Sequence, residues 1–179
     1  MNAEPTASSQ LALFAAYHGW ANAVLLSHVG KVSDEQYRAP AGLFFESIHG
    51  TLNHLLVGDR SWYGRFIGKP ESYTDLAMEL VADRDALARQ LLDRHLLWQA
   101  LIDNTPAVIA SGNLQYRTTA GATASTPWMG TLMHVFNHAT HHRGQISAAL
   151  TSMGFLCPEL DMIFYLRQAR TPVAGSTSS

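Results

Sequence analysis

Asn137-His138-Ala139-Thr140-His141-His142-Arg143-Gly144-Gln145 lies in the middle of a helical hydrophobic pattern that can be followed in both directions. Leu132, Val135, Phe136, Ile146, Ala149 and Leu150 recur at three- and four-residue intervals, so one face of this helix is buried. Thr126 is the expected N-cap, with Pro127 at the first helical position, and Met153-Gly154 marks the end. On such a helix His138 and His142 stand one turn apart on one face, with His134 a further turn back. Side chains four apart are neighbours, so two imidazoles at this spacing can reach one metal ion from one rigid element. A third donor must come from elsewhere, and His54, in Asn53-His54-Leu55-Leu56, is the best placed.

Breakers divide the rest of the chain into three more long helices. Leu11 to His28 has a helical rhythm, with Gly30 as its stop. Ser33-Asp34-Glu35-Gln36 reads as the capped start of a short helix ended by Pro40 and Gly42. The second long helix is expected from about Phe44 to Ile67, burying Ile48, Leu52, Leu55, Leu56, Trp62 and Phe66. Thr74 and Asp75 should open the third, which runs to about Asp103 with Leu76, Leu80, Leu87, Leu91, Leu97 and Leu101 inward. Leu114 to Thr119 alternates and a Gly121 turn follows, the mark of a small hairpin or ordered loop. A short last helix, about Glu159 to Arg170, follows Pro158. The class is all-α: an antiparallel four-helix bundle, which places metal sites in its core between facing helices. Residues 11–170 form the expected single domain, flanked by small, polar, disordered ends at residues 1–10 and 171–179.

Composition excludes some partners. The chain has 179 residues, a formal net charge of -2 and no Lys/Arg cluster, so it lacks the electrostatic footprint of a nucleic-acid binder. Its longest apolar stretch, Leu11 to Leu26, is interrupted by His18, Gly19 and Asn22 and is too short and polar for a membrane span. The N-terminus lacks the pattern of a signal peptide, and the single cysteine, Cys157, cannot form an internal disulfide. Both fit the cytoplasm. Charged residues make up only 15%, below the usual quarter, which favours apolar surface buried between two subunits.

Four of the nine histidines fall between His134 and His142. Three neutral imidazoles around Zn²⁺ or Ni²⁺ leave a coordination position open, the arrangement of a catalytic site. Such an ion serves hydrolysis by a metal hydroxide or group transfer by an activated thiol, and spacing does not choose between them. Unligated imidazoles on a buried face would each need another partner. His134 is either a group supporting the ligands or a fourth ligand. Asp59 either orients a ligand imidazole through its second nitrogen or pairs with Arg60 or Arg65. Arg143 either binds an anionic substrate or, the favoured reading, forms an ion pair with a carboxylate such as Asp161. His18, His28 and His95 read as surface or packing residues, and His49 as lying outside the ligand set.

The run His138 to Gln145 resembles the signature of the DinB family, within the DinB/YfiT-like metalloenzymes. Tyr17-His18-Gly19-Trp20-Ala21-Asn22 is similar to that family's first-helix segment, Ser47 to Trp62 to its second, and Leu160 to Arg167 to its closing segment. Two positions depart: Ala139 stands where Gln is frequent, and Glu46 where Gly is frequent. The resemblance implies up-down-down-up connectivity, a divalent metal on His54, His138 and His142, and a homodimer. It also implies an enzyme that transfers a low-molecular-weight thiol to an electrophilic small molecule. A metal-dependent hydrolase and a non-catalytic metal-binding stress protein are the alternatives. Cys157, in a connector before Pro158, is not marked as a nucleophile.

Overall fold

A computed structural model describes residues 6–73 and 75–168. The elements, in chain order, are α1 (Ala7–Val29), α2 (Asp34–Arg38), α3 (Ile48–Phe66), α4 (Arg84–Asn104), α5 (Ala107–Ala110), β1 (Asn113–Arg117), β2 (Thr123–Pro127), α6 (Trp128–Ser152) and α7 (Met162–Gln168). The long helices α1, α3, α4 and α6 form a four-helix bundle; β1 and β2 are an antiparallel hairpin at one end.

Two buried clusters, one toward each end, give the direction of every helix. One joins Leu25 and Val29 of α1, Ile48 and Leu52 of α3, Leu87 and Leu91 of α4, and Ile146 and Leu150 of α6. The other joins Leu11 and Ala15, Trp62 and Phe66, Trp98 and Ile102, and Leu132 and Phe136. The first cluster therefore collects the end of α1, the starts of α3 and α4, and the end of α6. This is up-down-down-up. Each of α1 and α3 packs on both α4 and α6, so the first two long helices sit diagonally and antiparallel α3 and α6 are neighbours.

Several sequence expectations are corrected at element ends. The N-terminal ten residues are not all disordered: the Thr6 side chain accepts from the Ser9 amide and starts α1 at Ala7. The expected disorder of residues 1–5 and 171–179 falls outside the described residues. The second long helix starts at Ile48 behind a Ser47 cap, not at Phe44. The third begins at Arg84, capped by Asp83, not near Asp75; Thr74 lies outside the described residues. The buried Asn53 carboxamide explains the shift. Its Oδ1 accepts from the Leu80 and Val81 amides, and Asp75 Oδ1 takes the Ala77 amide, so side chains claim donors that a helix would use. Leu76 and Leu97 are exposed rather than inward. Thr126 is no N-cap. It pairs with Leu114 in the hairpin, and its hydroxyl meets Thr131 Oγ1 at 2.6 Å, so β2 runs straight into α6 through Pro127. The last helix is shorter than expected over the described residues, Met162–Gln168.

Glu46 occupies the left-handed backbone region, φ 65°. A Cβ there costs about 1–2 kcal/mol relative to a right-handed conformation, and glycine is free of that cost. Glu46→Gly should raise stability by about 1 kcal/mol, after subtraction of glycine's greater freedom in the unfolded chain. An unchanged or lower midpoint in urea denaturation would show that Glu46 makes compensating contacts.

Candidate metal centre

His54 lies on α3 and His138 and His142 on α6, the antiparallel pair of neighbours. One ring nitrogen from each lies within 4.8 Å of the other two. His138 Nε2 is 3.2 Å from His54 Nε2 and 3.1 Å from His142 Nε2. Three nitrogens at about 2.05 Å from one tetrahedral ion stand about 3.3 Å apart. The spacing fits.

The outer nitrogens determine which inner ones carry protons. His54 Nδ1 donates to the Leu76 carbonyl at 2.9 Å, and His142 Nδ1 to Gln145 Oε1 at 2.7 Å. In a neutral imidazole this leaves Nε2 of both rings as a bare acceptor. His138 can donate from Nε2 to only one of them, so at least one of the two close N···N contacts holds no hydrogen bond and leaves an acceptor without a donor. The rings are not rescued by protonation. Burial pushes His138 down to about 3, with His142 and His54 adding to the effect. Burial also takes His142 down to about 4 against the raising influence of Gln145, and lowers His54. Three neutral rings with their Nε2 atoms brought together make a cation-binding arrangement, and a divalent ion would satisfy the acceptor nitrogens that no proton can serve.

Phe45 closes one side. Its ring stacks on His54, centroids 3.7 Å apart at 17°, and lies 5.6 Å from His142. Gly50 permits this, because a Cβ there would overlap the Phe45 carbonyl oxygen. His54 and His138 also line a cleft of about 360 Å³, together with Ser61, Trp62, Arg65, Tyr116 and Thr118. No Asp or Glu lines it among the described residues.

The supporting groups named from sequence are placed differently. His134 is exposed on the cleft rim, 5.4 Å from the Trp62 ring, and is not among the three convergent rings. Asp59 makes no direct hydrogen bond to a ligand imidazole or to Arg60 or Arg65 among the described residues, although it lines one small cavity with His138. It is buried, accepting from Arg94 Nε and, at 2.7 Å, from Trp98 Nε1; burial raises its pKa despite Arg94. Arg60 pairs with Glu71 instead. Arg143 has no bond to Asp161. It is 1% exposed and donates to His18 Nδ1 (3.0 Å), Asn22 Oδ1 (3.1 Å) and Thr140 Oγ1 (2.8 Å). With no carboxylate partner among the described residues, burial lowers its pKa to about 10. His18 is thus a buried partner of Arg143, joining α1 to α6, and not a surface residue. His49 stays outside the triad, bonded to Tyr37 and Glu79. Cys157 is exposed and unpaired.

Sequence reasoning gave Phe45, Leu76 and Gln145 no part in holding the ligand rings. Only Gln145 carried a usable signal, three residues beyond His142 on a helix. The Leu76 contact depends on an irregular segment and leaves no pattern.

Comparison with known proteins agrees with this architecture. The model of the DinB family matches residues 4–174. Protein DinB of Bacillus subtilis (strain 168) is 28% identical over 169 residues, covering 88% of this chain and 94% of its own. The structure of YfiT from Bacillus subtilis, described as a probable metal-dependent hydrolase with an unusual four-helix bundle topology, superimposes with a TM-score of 0.66. It covers 87% of this chain and 94% of that one at 19% identity, a likeness of fold.

Proposed function

This chain belongs to the DinB family, and on that footing we propose that His54, His138 and His142 hold one divalent ion, Zn²⁺ or Ni²⁺. The protein is then a metal-dependent enzyme that transfers a low-molecular-weight thiol to an electrophilic small molecule. The observation that carries this is the convergence of three neutral Nε2 atoms, which no placement of protons fully satisfies, beside an open cleft. When bound, the ion lowers the pKa of a coordinating thiol or water, so that its conjugate base is present at neutral pH.

The chain's own residues do the rest. Leu76 and Gln145 fix two ring orientations, Phe45 keeps water from one side, and Trp62 and Tyr116 offer aromatic walls to an electrophile. Hydrolysis is the second reading, favoured by the likeness to YfiT, a probable metal-dependent hydrolase. It ordinarily uses a general base near the nucleophilic water. The cleft supplies no carboxylate among its described lining, and Asp59 is engaged by Arg94 and Trp98. Thiol chemistry needs no such base. The exposed Cys157 thiol fits a reducing cytoplasm; no helix of the described residues is long and apolar enough to cross a membrane. The proposal includes a homodimer, supported by the low charge content and by exposed Phe44, Val108 and Leu156.

Incubating the zinc- and nickel-loaded protein with a panel of thiols and a chloro-aromatic tests the reaction. Thioether formation that disappears on metal removal is expected. Ester or amide hydrolysis in its place would select the second reading; neither, with metal bound, would leave a non-catalytic binder. Separately, Gln145→Ala should weaken zinc binding by about 10–100-fold, as loss of an orienting partner does. Unchanged affinity in a competition titration would show that the Gln145 bond contributes nothing to the site.

A further inference from the structure

Arg65 is the one fixed positive charge among the described residues that line the cleft. Its guanidinium carbon stands 4.5 Å from the Trp62 ring centroid and 5.5 Å from that of Tyr116. It has no carboxylate partner among the described residues, whereas nearby Arg60 pairs with Glu71 and Arg94 with Asp59. Burial lowers the Arg65 pKa, the mark of a cation partly stripped of water. The residues leading to it are in line: His54, Gly58, Ser61, Trp62 and Arg65 follow one face of α3 and all line the same cleft.

We propose that Arg65 is an anion-recognition site in this cleft, taking a carboxylate on the same small molecule whose donor atom is directed at His54, His138 and His142. A guanidinium prefers planar oxyanions because its N–H groups match both carboxylate oxygens. Held over the Trp62 ring and without a carboxylate partner among the described residues, the guanidinium has N–H groups to offer that pairing. Trp62, over which the guanidinium sits, lies eight residues beyond His54, a rise of about 12 Å. A metal–sulfur bond of about 2.3 Å and a charged hydrogen bond of about 2.8 Å at the two ends leave about 7 Å between donor atom and carboxylate, within the span of a six-carbon chain. The ligand is therefore a carboxylate-bearing molecule of roughly that reach, not a two- or three-carbon acid. Ser61, Thr118 and Thr119 offer hydroxyls along the way.

The inference rests on the metal reading, and the experiment separates the two. The cobalt-loaded full chain is titrated with 6-mercaptohexanoate and with 6-mercaptohexanol, which differ only at the end remote from sulfur. Sulfur-to-cobalt absorption in the near ultraviolet reports occupancy. The carboxylate should bind about tenfold more tightly in the parent, the strength of a hydrogen bond to a charged group. Arg65→Met should bring the two affinities together, and Arg65→Lys should retain part of the preference. The three-carbon pair, 3-mercaptopropionate and 3-mercaptopropanol, is too short and should show no preference. Equal six-carbon affinities in the parent, or a preference that survives Arg65→Met, would overturn the assignment of Arg65. Failure to bind cobalt, or failure of any thiol to shift its spectrum, would instead sink the metal reading beneath it.

Discussion

His138→Ala should reduce divalent-metal affinity by more than about 100-fold, beyond the loss produced by an outer orienting partner. His138 is the middle member of the triad, its Nε2 near the corresponding atom of both other rings. Removing it leaves His54 and His142 on different helices with a ligand missing between them. The fold should survive, because the side chain is only half-buried and alanine is the best helix former. His54→Ala and His142→Ala should act in the same direction. His95→Ala is the control: that ring bonds the Leu92 carbonyl and packs on Gly19 of α1, away from the triad. His134→Ala, on the cleft rim, should keep affinity within a few-fold. The measurement is a competition titration against a chromophoric chelator, on protein purified without an affinity tag. Equal losses in His95→Ala and His138→Ala would mean that binding is adventitious.

Trp98→Ala should destabilise the protein by about 3–5 kcal/mol, the range for truncating a buried Trp. Trp98 is 0% exposed and meets the rings of Tyr63, Phe66 and Phe136 edge-on, at centroid distances of 5.2, 5.7 and 5.9 Å. Truncation opens a void in the hairpin-end cluster and also deprives the buried Asp59 carboxylate of one donor. Asp59→Asn isolates that polar contribution. It leaves the part-buried Arg94 guanidinium without its carboxylate, and breaking such a pair from one side costs about 3 kcal/mol or more. Both variants should shift the urea midpoint downward. Metal affinity is the discriminating readout. Asp59→Asn, assayed where it is folded, should retain zinc within a few-fold, because the Asp59 hydrogen bonds go to Arg94 and Trp98 of α4 and none goes directly to a ligand ring. A loss above tenfold with the fold intact would return Asp59 to the metal site.

What sequence revealed, and what it hid, follows from the range of each interaction. Periodicity and breakers are local, so the long helices and the hairpin were legible from Leu, Ile, Gly and Pro positions. The His138/His142 pair was legible for the same reason, since four-residue spacing is enough to put both on one face. The alliance of His54 with that pair depends on α3 packing beside α6. Only the family resemblance, not spacing, carried the connectivity behind it. The late start of α4 was hidden because Asn53, 27 and 28 residues earlier in the chain, captures the Leu80 and Val81 amides. Arg143 misled for a related reason. A buried guanidinium ordinarily implies a carboxylate, yet here His18, Asn22 and Thr140 share it, and α1 had offered no sign of facing α6 at that level.

X-ray diffraction from crystals of the zinc-loaded protein, recorded at the zinc absorption edge, tests the central claim most directly. One anomalous peak per chain should appear, at about 2.0–2.1 Å from Nε2 of His54, His138 and His142, with its open side toward Trp62 and Arg65. A peak held by other residues, or three imidazoles left empty in zinc-saturated crystals, would contradict the account.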